Sequence, residues 1–187
     1  MRSFKVLLFS IFLFSPIVSS AVEYKNAVKV TFLSWVTGST KLSYERAISP
    51  HQSGEVCASV IGAGYDKFQN QPLGYTLRYG HKFFIAGNEQ GGLKGLYLRP
   101  ELIYSTYNYN LSGTGERTLA RMGTLLATAG YQTCWGRFIL DAWAGGGYAV
   151  GQAAETGYHH GFALWNVLGT RNDNIALSFS IRLGVCF

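Results

Sequence analysis

The stretch Ile175 to Phe187 limits what this chain can fold into more than any other. Its odd positions read Ile175, Leu177, Phe179, Ile181, Leu183, Val185 and Phe187, and its even positions read Ala176, Ser178, Ser180, Arg182, Gly184 and Cys186. Side chains of a β-strand alternate between two faces, so one face here is wholly apolar and the other is small or polar. At about 3.3 Å per residue and a tilt of roughly 40°, such a strand rises about 33 Å, against an apolar band of about 25 Å in an outer-membrane barrel. A lone strand cannot stand in hydrocarbon, because its N–H and C=O groups would lack partners; only a closed ring of strands supplies them. The rest of the chain must provide that ring.

The start of the chain reads differently. Arg2 and Lys5 precede the largely apolar run Val6 to Phe14, and Pro16 to Ala21 supplies small residues. This is the pattern of a cleaved secretory signal peptide over residues 1–21, since the apolar run falls short of the about 20 residues a membrane helix needs. Residues 22–187 then make one domain. Charged residues form 14% of the chain, against about 25% in soluble domains, a deficit that a barrel in lipid explains by confining charge to lumen and loops. Removing Arg2 and Lys5 from the formal charge of +6 leaves +4, scattered along the sequence. No basic cluster suggests a nucleic-acid partner.

Seven further strands are predicted. Ala27 to Trp35 sets Val28, Val30 and Phe32 against Lys29, Thr31 and Leu33, and Leu42 to Ile48 sets Leu42, Tyr44 and Ile48 against Ser43, Glu45 and Ala47. Gly54 to Tyr65 carries Val56, Ala58 and Val60 on its apolar face, and Leu73 to Phe84 alternates Leu73, Tyr75, Leu77, Tyr79 and Phe83 with Gly74, Thr76, Arg78, Gly80 and Lys82. Leu96, Leu98, Leu102 and Tyr104 share the next apolar face; Pro100 within it cannot donate to a ladder and predicts a bulge or break. Leu119 to Trp135 and Phe138 to Val150 follow, joined by Gly136, and the Gly145-Gly146-Gly147 run weakens the second of these signals. The expectation is an all-β, eight-stranded antiparallel up-and-down transmembrane barrel. Short turns near Pro50, Asn88 and Gly136 alternate with longer connections, the longest being Gly151 to Asp173, as short periplasmic turns alternate with external loops in outer-membrane barrels.

If the apolar face meets lipid, then Glu45, Arg78, Lys82, Arg99, Glu101, Asp141 and Arg182 point into the lumen, all toward the periplasmic ends of their strands. An eight-stranded lumen is wide enough only for side chains, so these residues read as an ionic plug. The sharper alternative is a carboxylate pair that handles protons or substrate. Arg46 and Arg121 fall on the outward face near strand ends, where snorkelling, or for Arg121 a lipopolysaccharide phosphate, accommodates them. Trp35, Phe83, Trp135 and Phe187 also fall at strand ends, as interfacial aromatic girdles do.

Cys57, Cys134 and Cys186 face the lumen. The strands of Cys134 and Cys186 are separated by another, which predicts a spacing beyond the about 7 Å Cα limit for a disulfide and hence free thiols. With no histidine near them they do not make a metal site. His51 and Ser53 sit on a periplasmic turn, His81 faces outward among aromatics, and His159 and His160 lie on the long loop, open to loop solvation or to a receptor or metal contact. No serine shares a face with both a histidine and a carboxylate, so no enzyme, catalytic site or cofactor is expected.

The segment Asn26-Ala27-Val28-Lys29-Val30 through Leu42-Ser43-Tyr44-Glu45-Arg46-Ala47, with Gly95-Leu96-Tyr97-Leu98-Arg99-Pro100-Glu101-Leu102, resembles the small outer-membrane β-barrel proteins of Bacteroidetes that form a family of unknown function. The closing Phe187 is similar to the terminal signal that such barrels show their assembly machinery. The resemblance implies a small outer-membrane barrel and carries no catalytic residues with it. The expected partners are outer-membrane lipid and lipopolysaccharide, with a surface partner reached through loop 151–173, and the expected state is a monomer. The functional reading is a structural or surface-interaction protein. Its rivals are a lipid-modifying enzyme, a small pore, and a soluble lipocalin-like ligand binder with Leu177, Phe179 and Ile181 turned inward.

Overall fold

Strands with one apolar face avoid unpaired edges by closing on themselves, and this chain does so. A computed structural model describes residues 24–66, 69–87, 92–111, 114–151, 162–163 and 174–187. The strands are β1 (Asn26–Thr31), β2 (Ser39–Ser49), β3 (Gln52–Ile61), β4 (Leu73–Ala86), β5 (Gly95–Asn110), β6 (Arg117–Trp135), β7 (Phe138–Gly151), β8 (Phe162–Ala163) and β9 (Ile175–Cys186). Neighbours from β1 to β7 pair antiparallel in chain order, β7 pairs with β9, and β9 pairs with β1, which closes an eight-stranded up-and-down barrel. The two-residue β8 is additional and lies on the β1 side of β9. The ends of the described chain meet, Asn26 and Phe187 exchanging backbone hydrogen bonds of 3.0 and 2.9 Å. Residues 1–21, where the signal peptide is expected, lie outside the described residues, as do His159, His160 and all of loop 151–173 except Gly151, Phe162 and Ala163.

The alternation sets the faces. Phe179, Ile181 and Leu183 are 48%, 43% and 52% exposed on the outside, while Arg182 between them is fully buried. The same holds round the ring, with Val30, Leu42, Val56, Leu77, Leu98, Leu102 and Leu125 exposed and their chain neighbours buried. A soluble ligand-binding barrel needs the opposite arrangement. Inside, one apolar cluster of Ile61, Ile103, Tyr107, Tyr109, Met122 and Leu126 fills the half away from the chain ends. A second, built on Ala27, Leu93, Ile139 and Cys186, fills the end where the termini meet.

One expectation fails for a local reason, and another holds in one of its two forms. The first strand stops at Thr31 instead of Trp35, and Phe32–Thr37 forms a 3-10 turn ending at Gly38, whose φ of 76° is left-handed. Phe32-Leu33 and Trp35-Val36 are adjacent apolar pairs, which no period-2 strand can place on one face, and Ser34 Oγ donates to Thr31 O at 2.7 Å to hold the turn. At Pro100 the expected local break occurs, without a bulge. Gly80↔Glu101 and Phe83↔Leu98 keep one register, while the ladder toward β4 skips the positions between them and that toward β6 runs on through Pro100↔Ala127. The missing N–H removes a bond without requiring an extra residue. The register shifts fall instead at Ala47/Ser49 and Phe84/Ala86, beside the turns.

Candidate functional site

Closure brings the polar faces together in a buried slab. Glu45, Arg78, Lys82, Arg99, Glu101, Asp141 and Arg182 are all buried there, and the same faces add Lys29 from β1, Lys41 from β2 and Glu55 from β3. The buried charges among the described residues are thus six cations (Lys29, Lys41, Arg78, Lys82, Arg99, Arg182) and four carboxylates (Glu45, Glu55, Glu101, Asp141), a surplus of two positive charges. Lys29, Lys41 and Glu55 were missing from the sequence-based network, although Lys29 and Glu55 stand directly opposite outward Val28 and Val56 in the alternation. That position was the signal for them.

The slab has two tiers. Nearer the termini, Lys29 Nζ donates to Glu45, to Glu55 Oε2 at 2.5 Å and to Asp141 Oδ2 at 2.9 Å. Lys82 Nζ donates to Asp141 Oδ2 at 2.8 Å, Glu45 Oε2 at 3.1 Å and Gln132 Oε1 at 2.5 Å. Ser53 Oγ donates to Glu45 Oε1, and Tyr97 OH to Asp141 Oδ1, each at 2.5 Å. Oxygens of Glu45, Glu55 and Asp141 lie within 4.8 Å of one another, a spacing that would suit a cation. The two ammonium groups already occupy it, so the trio needs no metal to offset its repulsion.

The second tier is built from guanidinium groups. Glu101 pairs with Arg78 and Arg99 at 2.7 Å each, and Glu55 joins Arg99 at 3.2 Å to Arg182. Arg182 and Arg99 stack on Trp143, 4.1 and 5.0 Å from its ring. Glycines make the room. A Cβ on Gly80 would lie 2.7 Å from Arg99 Cδ, and one on Gly130 would lie 2.5 Å from Tyr97 OH. Bulkier residues there would displace the side chains that hold Glu55 and Asp141.

Ion pairs this deep repay their desolvation only when geometry is good and remaining groups are bonded. Every one of the four carboxylates is held by at least two cations. The slab therefore lacks the unpaired carboxylate in a cavity that acid–base chemistry uses. Hydrogen bonding is less complete than ion pairing: among the described residues, Nε and Nη2 of both Arg78 and Arg182, Arg99 Nη2, Oε1 and Oε2 of Glu101, Trp143 Nε1, and the hydroxyls of Thr31, Ser59, Thr124 and Ser180 are buried without a hydrogen-bond partner.

The remaining candidate residues fall outside the slab. Trp35, Phe83, Trp135 and Phe187 are exposed on the outer surface, and so are Arg46 and Arg121. His81 faces outward, 3.1 Å from Gln52 Oε1 and 4.7 Å from the Phe83 ring centroid. His51 is an exposed turn residue, whereas Ser53 is buried on Glu45, so the two do not form a catalytic pair. The strand between Cys134 and Cys186 does not keep their side chains apart. Their sulfurs lie 3.5 Å apart, and Cys134 Sγ also donates to Leu93 O at 3.2 Å. The intervening strand spaces their backbones, but the curvature of a narrow barrel converges inward-pointing side chains. Both thiols are free, as is Cys57.

No family model, curated protein or solved structure matches this chain.

Proposed function

We propose that this protein is a small integral outer-membrane β-barrel, exported through its N-terminal segment, with a side-chain-filled ionic lumen and a structural or surface-interaction role. The observation that carries the reading is the inverted distribution of polarity: a continuous apolar exterior around an interior of six cations and four carboxylates. In water an apolar surface of that extent would drive association; in lipid it is the stable side, and pairing of each strand with its neighbours round the ring supplies backbone partners that hydrocarbon cannot. Exposed Trp35, Phe83, Trp135 and Phe187 suit the membrane interfaces. The apolar clusters on either side of the slab oppose steady ion conduction, and carboxylates each ion-paired to at least two cations oppose catalysis. A surface role then falls to the loops, 151–173 above all. The likeness of its β1, β2 and β5 segments to the Bacteroidetes barrels supports the location.

Washing membranes with alkaline carbonate tests the reading. The protein is expected to stay in the pellet until detergent is added, and release by carbonate alone would refute it.

A further inference from the structure

Cys134 and Cys186 are the one pair of thiols in contact among the described residues, and neither is in a disulfide. Their sulfurs lie 3.5 Å apart where β6 and β9 end. Around them is the apolar cluster of Ala27, Leu93 and Ile139, with Tyr24 and Ala47 packed at its edge. Cys186 is buried and Cys134 only half-buried, so Cys134 is the way in, from the end of the barrel where the chain ends meet. On the other side of the pair stands the ionic slab, whose Lys29 and Glu45 act electrostatically on both sulfurs.

The spacing suits a bridging ion. Metal–thiolate bonds of about 2.3 Å put two sulfurs about 3.8 Å apart at a tetrahedral angle and about 4.6 Å apart in a straight line, whereas a disulfide needs about 2.05 Å. From 3.5 Å the sulfurs reach either metal geometry by parting about 1.1 Å at most. The surroundings choose the ion. Among the described residues no third histidine, cysteine or carboxylate joins the two thiols in a metal-sized group, so a tetrahedral zinc ion would lack ligands, while a soft monovalent cation is satisfied by two thiolates. The charge also fits. Two thiolates and one such cation carry a net charge of −1, next to Lys29 and in a lumen whose described side chains leave a surplus of two positive charges. Leu93 O gives up the Cys134 S–H but keeps the Gln132 Nε2 donor at 3.0 Å, so no buried acceptor is orphaned.

We propose that Cys134 and Cys186 form a two-coordinate thiolate site for a soft monovalent metal ion, Cu(I) or Ag(I). Each thiol releases its proton to solvent and each sulfur gives an electron pair to the metal, with no change of oxidation state. The expectation against a metal at the cysteines rested on the want of a histidine, which a two-coordinate soft ion does not need. Cys57 takes no part: it stands opposite Ser43 and Arg78, and its thiol is directed at Ala58 O, 3.8 Å away. The site goes beyond the membrane reading and does not depend on it.

The test is a titration of the full-length folded protein, reduced and free of oxygen in nonionic detergent, with Cu(I) held by a chromogenic chelator. The barrel is expected to withdraw one Cu(I) from the chelator, and an equal concentration of Zn2+ is expected not to displace it. Cys134→Ser and Cys186→Ser are each expected to weaken binding by at least about 100-fold, beyond the about 10–100-fold that loss of a supporting partner costs. Cys57→Ser is expected to leave it unchanged. X-ray absorption of the loaded wild-type protein requires no variant to fold and is expected to show two sulfur neighbours on the metal. No Cu(I) withdrawn, displacement by Zn2+, a requirement for Cys57, affinity unchanged in Cys134→Ser or Cys186→Ser, or a metal shell of nitrogen and oxygen would each overturn the proposal.

Discussion

Glu55 is the residue on which the buried slab most depends, and Glu55→Gln measures that dependence. Its carboxylate contacts four cations, Lys29 at 2.5 Å, Lys82 at 3.5 Å, Arg99 at 3.2 Å, and Arg182. Lys29 and Lys82 retain Glu45 and Asp141, and Arg99 retains Glu101, but Arg182 keeps only Asp141 at 3.8 Å. The loss therefore falls on Arg182, whose Nε and Nη2 already lack partners. Removing one member of a buried pair costs about 3–5 kcal/mol, and shared neighbours put this case near the lower end, about 3 kcal/mol. For a chain of this length that corresponds to a fall of about 6–12 °C in the unfolding midpoint. Heat-induced mobility shift in detergent and fluorescence of Trp143, which stacks on Arg182, both read it. Combining Glu55→Gln with Arg182→Gln should cost less than the sum of the two by about 1 kcal/mol or more. A Glu55→Gln change under about 0.5 kcal/mol, the size of an ordinary surface substitution, would mean that water reaches the slab and that its pairs are not what holds the lumen together.

Two further outcomes test the exterior and the thiols. Phe179→Lys places a cation on the outer face and should destabilise the barrel in phospholipid vesicles by about 2 kcal/mol or more; unchanged vesicle stability would contradict a lipid-facing Phe179. Diamide should take two electrons and two protons from Cys134 and Cys186 to close one disulfide, seen as loss of two hydrogens by intact mass, and that bond should raise stability by about 2–4 kcal/mol. Cys134→Ser should abolish the product and Cys57→Ser should leave it, while a product that requires Cys57 would refute the pairing.

Much of this protein was legible in one dimension because strand faces are set by the backbone pleat, a property of successive residues. The alternation in Ile175 to Phe187 and in β2 to β5 determined the all-β class, which side chains point inward, and that Glu45, Arg78, Lys82, Arg99, Glu101, Asp141 and Arg182 share an interior. Even Lys29 and Glu55 stood in view opposite their valines. What the pleat cannot convey is which inward residues meet, because that depends on ring closure and on registers between strands far apart in the chain. Closure placed Glu55 against Arg182, 127 residues away, brought Cys134 to Cys186 across an intervening strand, and left Lys41 one residue past the last β1 pair of its strand. Those contacts belong to the curvature of a narrow barrel and to the early end of one strand, and only the folded ring could decide them.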